Sequence, residues 1–368
     1  MKEVKISSDF AGGNIRVVSA EDGDVTLEQE LRDTAGWWFY WRFRADASAA
    51  CDVTFRFANG EVVGPRGPAY SADGVDWAWL GADAAASRDS FVYSFEAGER
   101  AYFGFCLPYQ VHHFERFYAR IAANPAVRRE VLVLTERLRP VPLLVVGDRS
   151  AERHVLLTCR HHACESVSGY VAEGLLDYVL QRTELLRRYS IHYVPFVDLD
   201  GVENGDQGKG RTPHDHNRDY VDRPIYRSTA AIIHYAKALR LEAGIDFHSP
   251  YKWGGRNDVP FLVKRASPMK EENERFAACL EHATKRRTAP NRIAYDAAND
   301  IAMGEDWNQP NERTCSSFFE RSGARLACSF ELPYFGTGDA VVTPDSCRRF
   351  GADFAAALET YLLGEEQA

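Results

Sequence analysis

A chain of 368 residues, 45% apolar and 26% charged, has ordinary globular proportions and length enough for two domains, which excludes a disordered or fibrous architecture. Fifty-three acidic residues against 44 basic ones leave a net charge of −9, the reverse of the basic excess a nucleic-acid binder displays. No stretch reaches the ~18 uncharged apolar residues of a membrane span, and the first residues lack the apolar core of a signal peptide, so a cytoplasmic protein is expected. Up to about residue 107, short apolar runs stand between Gly, Asp and Pro. Val53-Thr54-Phe55-Arg56-Phe57 alternates with a period of two, and Trp37 to Phe43 is rich in aromatic residues. Both predict antiparallel strands of an all-β sandwich, with Trp37 to Trp41 in its core. A turn of helix near 112–121 precedes Ala123-Asn124-Pro125, which sets the boundary between a first domain at 1–123 and a second at 124–368.

The rhythm then changes. Strands are expected at 131–135, 142–146, 153–159, 191–197, 244–248, 259–263 and 325–331, alternating with helices at 166–182, 226–240, 269–284 and 346–363. In the first helix Val171, Leu175, Leu176 and Val179 recur at the spacing of one buried face. This predicts an α/β domain with a mixed central sheet flanked by helices, whose sites gather at the carboxyl ends of strands. Eight cysteines without a CxxC pair point to reduced thiols rather than a disulfide scaffold or a four-thiolate metal site.

The chemistry-bearing residues follow strands. Cys159-Arg160-His161-His162-Ala163-Cys164-Glu165 stands at a strand-to-helix turn, where a histidine and a glutamate three apart can meet one divalent cation. That spacing alone is common by chance. Nearly 25 residues from Asp198 to Tyr220, rich in Gly, Asp and Asn, form a long loop without apolar period, and such loops in compact domains are usually functional. Two further strands end in Asp246-Phe247-His248-Ser249 and in Phe330-Glu331-Leu332, the latter with an acid where an interior strand prefers an apolar group.

In this order, His-x-x-Glu, Asp-x-Asn-Arg, Asp-x-His-Ser and Phe-Glu-Leu resemble the zinc metallocarboxypeptidases of the funnelin family. Ile6-Ser7-Ser8-Asp9-Phe10-x-x-Gly13-Asn14, followed by Gly36-Trp37-Trp38-Phe39-Tyr40, is similar to the N-terminal β-sandwich of the cytosolic carboxypeptidase branch. The resemblance implies His162, Glu165 and His248 as ligands of one Zn2+ per chain, with a position left for water. It implies Glu331 as the general base towards that metal-activated water, and Asn217 and Arg218 as the pair that holds a substrate's terminal carboxylate. Asp215 matches an acid that orients a ligand histidine. The family's oxyanion arginine is matched by Arg211, with Lys209 in that role if the loop is shifted.

The implied reaction is removal of C-terminal residues from peptides or protein tails, with no nucleic-acid or membrane partner. Family analogy suggests acidic leaving residues, for which Lys252, Arg256 and Arg265 offer matching charge. Two departures are notable. The Asn-Pro-Asp-Gly of the long loop reads Asp198-Leu199-Asp200-Gly201, and Ser249-Pro250-Tyr251-Lys252 replaces the relatives' Gly-His-Ser, so the terminal preference is not inherited. Two other readings stay open: a zinc amidase or deacylase acting on N-acyl amino acids or cell-wall peptides, and a catalytically silent binding protein. His214 and His216 are read as a hydrogen-bonding pair, and Cys164 as a buried packing residue.

Overall fold

The computed structural model describes residues 4–34, 36–148, 150–286 and 291–364. Ten strands come first: β1 (Val4–Ser7), β2 (Arg16–Glu21), β3 (Asp24–Glu28), β4 (Arg42–Ala47), β5 (Cys51–Phe57), β6 (Ala69–Ser71), β7 (Ala78–Trp79), β8 (Ala85–Ser87), β9 (Ser90–Phe95) and β10 (Arg100–Gly104). They form two five-stranded sheets, ordered β1-β4-β10-β6-β7 and β2-β3-β5-β9-β8. In β5 the period of two is realised: Val53, Phe55 and Phe57 are buried while Arg56 is exposed. Phe43 and Phe103 of one sheet meet Phe55 and Phe91 of the other, with ring centroids 5.1 to 5.6 Å apart across Phe43–Phe55, Phe91–Phe103 and Phe55–Phe103.

Two expectations need correction here. The pairing of β3 with β5 is parallel, because β4 lies in the opposite sheet and the chain returns after it in its original direction. Trp37 to Trp41 is not a strand. The backbone N–H groups of Phe39 and Tyr40 donate to Gln207 Oε1, at 2.8 and 3.3 Å, so a side chain takes the place of a neighbouring strand. Trp41 does enter the sandwich core, 4.6 Å from Phe57, whereas Phe39 packs 5.6 Å from Tyr251 and 6.0 Å from Tyr334, far along the chain.

The short helix α1 (Val111–Ile121) buries Phe114, Phe117 and Ile121 on one face. Residue 123 falls in the turn between it and the next strand. There follow β11 (Val127–Leu134), β12 (Pro140–Val146), β13 (Arg153–Cys159), α2 (Val167–Val179), α3 (Thr183–Arg188), β14 (Tyr189–Val194), α4 (Leu199–Asn204), α5 (Arg227–Ala236), β15 (Leu241–His248), β16 (Phe261–Val263), α6 (Met269–Lys285), α7 (Cys315–Arg321), β17 (Leu326–Glu331) and α8 (Pro344–Leu363).

These strands make one seven-stranded mixed sheet, β11-β12-β14-β13-β15-β17-β16, in which β14, β13, β15 and β17 run parallel. Its central strands are buried on both faces and so carry short apolar runs, Val155-Leu156-Leu157 in β13 and Leu326-Ala327-Cys328 in β17. Gly244 of β15 faces Phe319 of α7, while Phe247, of opposite parity, meets Phe354 of α8 at 5.1 Å, so helices cover both faces. The strand expected at 191–197 begins at Tyr189 and stops at Val194, since Pro195 has no N–H to continue the ladder. The long loop is also less irregular than its composition suggested. It holds α4 and a 3-10 turn at His216–Arg218.

Candidate active site

Because four parallel strands end at one edge of the sheet, whatever follows them is brought together there. His248 closes β15 and Glu331 closes β17, and the two are direct partners in the parallel register. His162 and Glu165 lie on the turn after β13, where Arg160 adopts a left-handed φ of 63°. Its buried guanidinium donates from Nε to Ala163 O at 2.9 Å and from Nη1 to Tyr109 O at 2.6 Å, which fixes the turn. His162, Glu165, Lys209, Arg211, Asp215, Asn217, Arg218, His248 and Glu331 all line one cleft of about 760 Å³.

His162 Nδ1 and His248 Nδ1 each lie 2.8 Å from an oxygen of Glu165, one on Oε1 and one on Oε2. Donor atoms of these three residues lie within 4.8 Å of one another, a spacing that suits a single cation. The remaining imidazole nitrogens face acids: His248 Nε2 is 2.6 Å from Asp246 Oδ2, and His162 Nε2 is 3.5 Å from Asp215 Oδ2. That pattern, one nitrogen turned inward and the other backed by a carboxylate, is how ligand histidines are oriented. Two imidazoles and a carboxylate are a zinc-type donor set, and beside it the buried Glu331 Oε2 has no hydrogen-bond partner.

The charges agree. Burial alone would raise the Glu165 carboxyl, but His162, Lys209 and His248 outweigh it and hold it well below the usual range. Burial likewise opposes charge on His162 and His248, and the facing carboxylates raise both instead. Asp215, although buried, is lowered by His162 and Arg218. Glu331 behaves differently: enclosure, with Glu165 adding to it, pushes it up to about 7.

The structure separates Arg211 from Lys209. Arg211 is enclosed by three acids, at 2.6 Å from Asp198, 2.8 Å from Asp206 and 2.9 Å from Asp33. Lys209 Nζ instead reaches Glu165 Oε1 at 2.6 Å and donates to Ser249 O at 2.8 Å. A guanidinium held by three carboxylates serves the loop; of the two cations named for the oxyanion, Lys209 is the one that stands beside the metal group. Gly208 makes this approach possible: at its φ of +82°, a Cβ would sit 2.3 Å from Ala163 N.

Arg218 Nη1 donates to both oxygens of Asp215, at 3.1 and 2.8 Å, and its side chain is 47% exposed on the cleft wall. Asn217 Oδ1 accepts from Cys315 N at 3.0 Å, an anchor at the start of α7. His214 and His216 do not face the metal group. The first lies 2.7 Å from Asp219, and the second stacks on Tyr226 at 3.7 Å and, through burial and Arg211, is held well below its ordinary pKa. Cys164 turns to Tyr334, and burial pushes its thiol up to about 12.

Of the three cations offered for acidic substrates, only Arg265 lines the cleft, paired with Glu320 at 2.9 Å. Lys252 donates to Glu61 O over the ring of Trp37, and Arg256 pairs with Glu305 and Asp306 on the surface. Asp246 appears in the sequence as the first residue of the Asp-x-His-Ser motif but was given no role there. The available signal was its position two residues before His248 on one strand, which puts both side chains on the same face.

The family profile of the zinc carboxypeptidases matches residues 122–332, more than half of the chain. The chain belongs to the zinc carboxypeptidase family. Cytosolic carboxypeptidase 6 of Caenorhabditis elegans is 27% identical over 140 residues, covering 35% of this chain and 30% of the relative. The human protein of the same name is 25% identical over 146 residues, covering 36% and 29%. The chain thus spans under a third of the length of these two relatives. A metallo-carboxypeptidase from Burkholderia cenocepacia superposes with a TM-score of 0.80 at 18% identity, covering 100% of both chains. One from Pseudomonas aeruginosa gives 0.78 at 18% identity, over 99% of this chain and 100% of that one. Both show the family's fold, and zinc is the family's metal. Among the described residues no helix is long and apolar enough to cross a membrane.

Proposed function

We propose that this chain is a zinc-dependent metallocarboxypeptidase that removes C-terminal residues from peptides or protein tails. The observation that carries the reading is the convergence of His162, Glu165 and His248 beside Glu331, in a cleft that also presents Asn217 and Arg218. His162, Glu165 and His248 would hold the zinc, which when bound supplies Lewis acidity and eases deprotonation of water. Glu331 would accept a proton from water and return it to the leaving amine. Arg218 offers a guanidinium fork to the free terminal carboxylate, with Asn217 beside it. Lys209 would bring a partly buried cation to the region where the scissile carbonyl gains charge.

Residues 1–123 are assigned as a domain that supports the cleft, and 124–368 as the catalytic domain. The acidic preference rests on Arg265, the one of the three nominated cations that reaches the cleft. The test is release of the last residue from a peptide carrying a free C-terminus, set against the same peptide as its C-terminal amide. Turnover of the free acid alone, lost with a chelator and abolished in Glu331→Gln with zinc retained, is expected. Equal hydrolysis of the amide would favour the amidase reading, and no turnover with zinc bound would favour the binding protein. A panel differing only in the last residue should favour Asp and Glu, and Arg265→Ala should level it.

A further inference from the structure

Behind His248 the polar contacts continue into the core. Asp246, whose Oδ2 faces His248 Nε2 at 2.6 Å, accepts on Oδ1 from Thr158 Oγ1 at 2.8 Å. His161 Nδ1 lies 2.8 Å from the same Oδ1, off the line of a straight N–H···O bond. The Tyr220 hydroxyl ends the row, 2.7 Å from His161 Nε2. His161 and Asp246 are wholly enclosed and Tyr220 nearly so, and none of the three lines the cleft. They touch no substrate, yet burying an imidazole, a carboxylate and a phenol without purpose is costly.

We propose that Tyr220, His161 and Asp246 are positioning residues that lock His248 in the tautomer and orientation needed to hold zinc. The inference rests on the reading of His248 as a ligand. One arrangement of protons keeps every lone pair of the row away from the carboxylate. Tyr220 donates its O–H to His161 Nε2, which leaves the His161 proton on Nδ1, the nitrogen beside Asp246 Oδ1. Asp246, kept as a carboxylate by these donors, accepts from His248 Nε2–H. The lone pair of His248 is thereby fixed on Nδ1, the atom that faces Glu165 and the metal position. The opposite tautomer of His161 would set its lone pair against the carboxylate.

Cys315 stands close enough to His161 and Asp246 for these three to resemble a second metal group. Burial, with Asp246 adding to it, raises the Cys315 thiol well above its ordinary value, so it stays protonated there. Thr158, between the two at 2.8 and 3.6 Å, fills the gap with a hydroxyl.

The experiment is zinc titration of metal-free protein against a chromophoric chelator, with turnover measured in parallel. Asp246→Asn and His161→Leu are expected to weaken zinc binding roughly 10–100-fold. His161→Asn places an amide N–H where Nδ1 stood and should recover most of the affinity. Tyr220→Phe should fall between His161→Leu and the native chain. Equal loss in His161→Asn and His161→Leu would overturn the proposal in favour of a packing role, as would native affinity in both. Two zinc ions per native chain, one of them lost in His161→Leu, would also overturn it by making the cluster a metal site. His248→Ala keeps the two readings apart. If it binds zinc as the native chain does, the active-site reading fails; if it loses zinc while the His161 variants do not, only this inference fails.

Discussion

Lys209 and Arg211 stand two residues apart on one loop and meet opposite surroundings. Lys209 is partly buried against Glu165 and near Glu331, and these acids raise its pKa although desolvation alone would lower it. Arg211 neutralises Asp198, Asp206 and Asp33. Removing each should therefore fail differently. Lys209→Ala is expected to lower kcat by ~10²–10³, the cost of losing one oxyanion donor, with little change in Tm. Arg211→Ala leaves the enclosed Asp198 carboxylate without its cation, while Asp206 keeps Arg32, and should cost ~3–5 kcal/mol in unfolding free energy. Thermal unfolding and steady-state rates on both variants check this, and a large kcat loss in a fully stable Arg211→Ala would return the role to Arg211. The alternative was visible in the sequence, but the choice was not, because a shift of two residues in a glycine-rich loop changes no local propensity.

The parallel strands carry a second pair of histidines at the end of the sheet remote from the cleft. His192 of β14 lies 3.0 Å from His154 of β13 and 2.7 Å from the Tyr235 hydroxyl of α5. Burial first, and then the positive neighbours His154 and Arg128, bring His192 from 6.5 down to about 3. Its folded value lies below its unfolded one, so on acidification the unfolded chain takes the proton first. Stability from this group is complete above about pH 6.5 and falls as pH drops towards 3. Between pH 7 and pH 5 the loss should be of order 2 kcal/mol. Denaturant unfolding at both pH values should show that difference shrink in His192→Phe, and an unchanged difference would show that other groups carry the acid sensitivity. Strand identity at this scale was legible from apolar runs and from punctuation such as Pro195. The pairing of His154 with His192 was not, since they belong to separate strands joined only by the sheet.

Across the whole molecule, the segment that carries Lys209 is gripped by the N-terminal sheets. Asn14 Nδ2 donates to Gly205 O at 2.8 Å, Arg32 pairs with Asp206 at 2.6 Å, and Gln207 binds the backbone of Trp37, Phe39 and Tyr40. Gln207→Ala would leave the buried N–H groups of Phe39 and Tyr40 without their acceptor, at about 1–3 kcal/mol, and loosen the loop. Its expected result is a lower kcat with zinc affinity kept, read by chelator titration beside kinetics; an unchanged kcat would show the sheets to be bystanders. By itself the sequence determined the periodicities, and with them the sandwich strands, the mixed α/β sheet and the residues that end its strands, because these depend on nearest neighbours and alternation. Only the tertiary structure decided which cation enters the cleft, that Asp246 backs His248, and that an aromatic run is hydrogen-bonded by a glutamine some 170 residues away. Such contacts join distant segments, and their energies come from burial and charge at a place that no local stretch of chain defines.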